Sequence, residues 1–143
     1  MTRYAVMGDP IAQSKSPQIH SQFASLTKQD VAYEKLRVDA HEFPARVKAF
    51  FNGGGGGLNV TVPYKEAAFA LADTASPRAA LAKAANTLGM DVDGKLWADN
   101  TDGIGLVRDL ENNNHCTIKG KNILILGAGG AARGAMAELI HRQ

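Results

Sequence analysis

The polar side chains able to build a reactive site in this 143-residue chain fall in a few short stretches. GDPIAQSKSPQIH brings Ser14, Lys15, Ser16 and His20 close together just after an apolar run, and LNVTVPYKE alternates Asn59 and Thr61 with apolar neighbours before Pro63 and Lys65. AANTL adds Asn86, and ADNTDG adds Asp102. Hydroxyls and amides hold oxygen-rich ligands by hydrogen bonds, and a lysine paired with an aspartate can hold and transfer a proton. Together these groups suit a polyhydroxylated carboxylate. Each also has a plainer reading: Ser16 and Asp102 can be helix N-caps. Lys65 can be a solvated lysine on a first helical turn, although the helix dipole disfavours a cation there. Neither Asn59 nor Thr61 is a natural core residue.

A different chemistry is written in ILILGAGGAARGAMAELI. An apolar run passes into Gly127, Gly129 and Ala132, fitting the GxGxx(G/A) pattern in the strand-to-helix context that binds a dinucleotide pyrophosphate. No GK(S/T) follows, so a Walker loop is excluded. The run 53–57, all glycine, lies between a helix and a strand, the wrong order for a phosphate loop. It reads as a flexible turn.

The elements that must position these groups follow from periodicity. Strands are expected at 4–7, 31–38 and 58–62, and the proline starts Ser16-Pro17 and Ser76-Pro77 open helices. A helix carrying Phe43, Val47, Phe50 and Phe51 ends at Asn52, and another follows Pro63 over 64–73. Ile19, Phe23 and Leu26 line one face of the first helix. Segments 86–92 and 95–98 flank Asp93-Gly94, a two-residue hairpin signal. Thr101-Asp102-Gly103 opens a helix, and 122–126 is an apolar strand leading into a last helix. This order indicates an α/β fold with a mostly parallel sheet flanked by helices. The site residues then sit at strand ends, where open α/β sheets bind ligands.

Composition narrows the function classes. The chain is 45% hydrophobic, as expected of a domain with a real core. Sixteen basic against fourteen acidic residues, with no long run of either sign, does not indicate nucleic acid. The single cysteine, Cys116, offers no disulfide framework and no CxxC metal spacing, so no metal is expected. With no membrane-length apolar segment and no signal-peptide pattern, the expected place is the cytoplasm.

In the order and spacing of GDPIAQSKSPQIH, GLNVTVPYKE, AANTL, DNTDGIG and ILGAGGAARG, the chain closely resembles the shikimate dehydrogenase family over essentially its whole length. The resemblance implies NADPH-dependent, reversible reduction of 3-dehydroshikimate to shikimate in aromatic amino acid biosynthesis. By matching position, Ser14 and Ser16 would bind the substrate carboxylate with Thr61, while Asn86 and Asp102 would hold ring hydroxyls near Asn59. Lys65 and Asp102 would be the catalytic pair, and Gly127, Ala128, Gly129, Gly130 and Ala131 would wrap the NADP pyrophosphate. It also implies a substrate domain over 1–101, a connecting helix and linker over 102–120, and the first βα unit of a Rossmann domain over 121–143. The residue that reads the cofactor ribose is expected about 20 residues past the glycines, beyond Gln143. The chain is therefore expected to be truncated or split and weakly active or inactive alone. A non-catalytic shikimate-binding module and a quinate-using relative stay open, and an apolar edge at 123–126 leaves a homodimer open.

Overall fold

A computed structural model describes residues 1–142. Its centre is a six-stranded sheet in the order β2-β1-β3-β5-β6-β4. The strands are β1 (Thr2–Gly8), β2 (Val31–Arg37), β3 (Gly55–Val60), β4 (Thr74–Ala75), β5 (Thr87–Met90) and β6 (Leu96–Asp99). The helices are α1 (Ser16–Thr27), α2 (Phe43–Asn52), α3 (Lys65–Leu71), α4 (Pro77–Ala82), α5 (Asp102–Arg108) and α6 (Gly130–His141), with a π-helical turn over Asp109–Asn113 extending α5. Pairings of β1 with β2, β1 with β3 and β4 with β6 are parallel, whereas β5 runs antiparallel to both β3 and β6. The expected α/β, mostly parallel architecture is present.

Alternation along the strands sorts the two faces. Ala5, Met7, Leu58, Val60, Leu88 and Ala98 point to one side and pack with Phe43, Val47, Phe50 and Phe51, whose helical spacing in α2 places them on one stripe. The opposite face carries Tyr33, Asn59 and Thr87, brought into line by the pairings of Val6 with Lys35 and Asn59, and of Asn59 with Thr87. Among the described residues, α1 lies over this side. It has no buried residue, and a cavity of about 350 Å³ opens between it and the sheet. The apolar face expected for α1 is thus largely uncovered: Phe23 is 55% exposed and Leu26 81%.

Several boundaries differ from the sequence expectation, each for a physical reason. The glycine run is not simply a flexible turn, because Gly55, Gly56 and Gly57 belong to β3 and pair beside Arg3 and Tyr4. A Cβ at Gly55 would overlap the Phe50 ring, so bare backbone is what lets α2 close on the strand. β3 stops at Val60, and 61–64 form a turn closed by Tyr64 N donating to Thr61 O, with a cis Val62-Pro63 peptide. Pro63 therefore lies in the turn, and α3 starts at Lys65. At the hairpin, Asp91 and Lys95 pair across a three-residue loop with Gly94 at φ +78, a turn plus bulge rather than a two-residue loop. The short edge strand β4 was not anticipated.

The largest correction concerns 122–126, which is not a strand. A strand needs a neighbour to pair its N–H and C=O groups, and none lies beside this segment among the described residues. Ile125 packs instead on a second small core of Val107, Ile118 and Leu139, leaving Leu124 83% and Leu126 87% exposed. Of the expected βα unit only the helix is regular. It docks on α4 and α5, with Arg133 Nε donating to Ala82 O of α4 at 2.9 Å, and Arg133 also pairs with Glu66 of α3 at 2.6 Å. The α5–α6 crossing is tight enough that a Cβ on Gly103 would overlap the Gly134 carbonyl.

Candidate active site

The site is assembled at one end of the sheet. β1 ends at Gly8 and hands the chain to the loop 9–15, which carries Ser14. That loop is tied to the edge strand β2 by Arg37 Nε on Asp9 Oδ1 at 2.9 Å and by Lys35 Nζ on Ala12 O at 2.6 Å. The turn after β3 delivers Lys65. Because β5 and β6 are antiparallel neighbours, the start of one and the end of the other bring Asn86 and Asp102 to the same place.

Two residues with a plausible capping role turn out to be free of it. The N-cap of α1 is Lys15, with no side-chain cap bond, and Ser16 lies inside the first turn. The N-cap of α5 is Thr101, also without a side-chain cap, and Asp102 turns inward. Lys65 Nζ donates to Asp102 Oδ2 at 2.6 Å, and Asn86 Nδ2 donates to Asp102 Oδ1 at 2.9 Å. This ion pair is mostly shielded, with 16% of the lysine side chain and 29% of the aspartate side chain exposed. An aspartate held on both oxygens fixes the lysine by a charge-assisted bond. That offsets the poor placement of a cation at the start of α3.

From this pair a row of polar groups runs across the sheet. Thr87 Oγ1 donates to Asn86 Oδ1 at 2.9 Å, and Asn59 Nδ2 approaches Thr87 Oγ1 at 3.4 Å. Tyr33 Oη donates to Asn59 Oδ1 at 2.5 Å. Ser14 Oγ donates to Ser16 Oγ at 3.2 Å. Of the residues singled out in the sequence, Asn59, Asn86, Lys65 and Asp102 are joined in one network, and Ser14 and Ser16 form a separate bonded pair. Thr61 sits in the turn beside them with its methyl against Gly8, outside that network of side-chain bonds.

Sequence reasoning missed Tyr33, Thr87, Thr101 and Asn100 as members. Thr101 accepts from Asn86 Nδ2 at 2.9 Å. Asn100 is buried, gives its amide to Ala84 O at 2.9 Å and receives Asp102 N at 3.2 Å, so it fixes the backbone from which Asp102 projects. The signal for Tyr33 was its parity: in parallel register it shares a face with Asn59. Burial pushes the Tyr33 phenol up to about 12 and lowers the pKa of His20, whose ring stacks on Tyr33 at 4.2 Å. Tyr33 is thus a neutral donor at physiological pH.

The loop 127–131 has the chemistry to hold a phosphate. Gly129 is extended and starts the twelve-residue α6 without a side-chain cap, leaving first-turn N–H groups for an anion. Gly127 has φ +111, which favours glycine, and a Cβ there or at Gly129 would meet nothing within 4 Å. On the other side, a Cβ on Gly130 would stand 3.1 Å from Ala84 Cβ and 3.4 Å from Lys65 Cβ. The glycine loop is therefore packed beside the lysine. Among the described residues no helix is long and apolar enough to cross a membrane.

The profile of the shikimate dehydrogenase substrate binding domain matches residues 6–88. A protein of Halorhodospira halophila named shikimate dehydrogenase (NADP(+)) is 53% identical over 137 residues, covering 96% of this chain and 51% of that protein. The crystal structure of an Ael1 enzyme from Pseudomonas putida superposes with a TM-score of 0.93 at 45% identity, over 99% of this chain and 52% of that one. Shikimate 5-dehydrogenase of Thermus thermophilus, solved in complex with shikimate, gives 0.90 at 36% identity over 99% of this chain and 53% of that one. The chain spans about half the length of the curated relatives it matches.

Proposed function

The chain belongs to the shikimate dehydrogenase family, and from that premise we propose that its polar network binds shikimate and 3-dehydroshikimate and that Lys65 and Asp102 handle the proton in their NADP-dependent interconversion. The observation that carries this is the pair itself: a shielded lysine 2.6 Å from a doubly held aspartate, at the end of a row of hydroxyls and amides. Ser14 and Ser16 face the carboxylate, with Thr61 beside them. Asn86 and Asp102 take ring hydroxyls, and Asn59 lines the pocket between the two groups.

Reducing a ketone puts a hydride on carbon and a proton on oxygen. NADPH, when bound at Gly127 to Ala131, supplies the hydride. Lys65 donates a hydrogen bond to the carbonyl oxygen, stabilises negative charge as it develops there and delivers the proton. In the oxidation direction its neutral amine takes the proton back. Asp102 keeps the lysine on the reacting oxygen and accepts from a neighbouring hydroxyl, so the substrate is oriented by the same group that positions the acid.

This reading divides the labour along the chain. Residues 1–101 form the substrate domain, 102–120 connect it to the nucleotide unit, and 121–143 begin that unit. The protein is assigned to the cytoplasm, and the exposed Leu124 and Leu126 give two copies an apolar surface on which to pair as a homodimer. Calorimetric titration of the chain with shikimate and, separately, with NADPH tests the reading. Saturable one-to-one binding of shikimate, lost in Asn86→Ala, is expected. Absence of shikimate binding by the unaltered chain would overturn it.

A further inference from the structure

We propose that Tyr33 is a positioning residue for the substrate site: its hydroxyl donates to Asn59 Oδ1 across the sheet and so sets the orientation of the Asn59 amide toward the pocket. The proposal rests on the functional reading above and adds a residue that does not itself hold the ligand.

A phenol has one proton to give and lone pairs to accept with. The Tyr33 proton goes to Asn59 Oδ1 at 2.5 Å. That bond decides which end of the Asn59 amide faces the ring. With Oδ1 taken by Tyr33, Nδ2 is directed at Asn86 O and Thr87 Oγ1, both at 3.4 Å. Without the phenol hydroxyl, Oδ1 loses its donor and the amide is free to turn over.

The ring is held by something other than the hydroxyl. His20 stacks on it with centroids 4.2 Å apart and planes 6° from parallel. Removing only the oxygen therefore leaves the aromatic packing in place and isolates the positioning role.

A double-mutant cycle read by calorimetry with shikimate tests this. Tyr33→Phe is expected to weaken shikimate binding about five- to tenfold, the value of one hydrogen bond. In an Asn59→Ala background the same change is expected to cost less than about twofold, because the group it acts through is gone; Asn59→Ser serves if the alanine variant does not fold. A merely structural role would cost the same in both backgrounds. Equal cost in both, or no cost in either, overturns the proposal while shikimate binding by the unaltered chain leaves the functional reading standing. If the unaltered chain binds no shikimate, the functional reading falls and this inference with it.

Discussion

Lys65 shows how little a residue's local address says about its use. On the first turn of the seven-residue α3 a lysine opposes the helix dipole, and its local sequence gives it no compensating partner. The partner is Asp102, which is 37 residues away and becomes a neighbour only because β5 and β6 fold back antiparallel. Ser16 and Asp102 belong to the residue types that cap helices, yet neither caps: Ser16 lies inside the first turn bonded to Ser14, and Asp102 is taken by Lys65. What sequence exposed well were polar residues in apolar surroundings, Asn59 above all. What it hid were Tyr33 and Thr87, residue types common in strands for packing reasons, whose role depends on register. In a full-length protein that carries this chain, Lys65→Ala is expected to lower kcat for NADPH-dependent reduction of 3-dehydroshikimate by about 10²- to 10⁴-fold. kcat/KM should fall in parallel, since the interaction is made in the transition state. Steady-state NADPH oxidation reads both, and an unchanged kcat would remove the lysine from the mechanism.

Among the elements, periodicity located the helices and most of the strands, whereas it failed wherever an outcome depended on a neighbour. The segment 122–126 has the composition of a buried parallel strand, but pairing is a property of two segments and its partner is not among the described residues. The glycines of β3 were misread for the converse reason: they accommodate the Phe50 ring and Tyr4, contacts invisible in one dimension. Two glycines of α5 separate these effects. A Cβ on Gly103 collides with the Gly134 backbone of α6, while a Cβ on Gly105 meets nothing within 4 Å. Gly103→Ala should therefore destabilise by about 1–3 kcal/mol through overpacking, and Gly105→Ala should stabilise by up to about 1 kcal/mol through helix propensity. Urea unfolding distinguishes them, and equal shifts would contradict the tight α5–α6 crossing. A further element contact is pH-dependent. The Asp99 carboxylate is held below its ordinary 3.8 chiefly by its hydrogen bond with Arg78, with Ser76 Oγ and Asn100 N also donating to it. A depressed folded pKa means that this stabilisation is complete above 3.8 and is lost as pH falls through the lower folded value. Asp99→Asn should accordingly be less stable at neutral pH and lose less stability than the unaltered chain on acidification below about pH 4. Parallel pH profiles for the two proteins would show that the carboxylate is not the group concerned.

The molecule as a whole joins two chemistries in one compact arrangement. A sheet face closed by α2 and α3 provides rigidity, and the ends of its strands collect the polar row. α6, docked on α4 and α5, sets a bare glycine loop beside Lys65. The fold class was legible from the alternation of strand and helix patterns. The adjacency of phosphate loop and lysine was not, because Gly130 and Lys65 meet across the chain fold. The proposed function gives this arrangement a substrate and each residue of the site a place on it. A crystal structure of the chain soaked with shikimate tests that assignment most directly. The account predicts the carboxylate on Ser14 and Ser16 and a ring hydroxyl within about 3.2 Å of Lys65 Nζ, the reach needed for proton transfer. Shikimate bound elsewhere, or bound there with no hydroxyl within reach of Lys65, would contradict it.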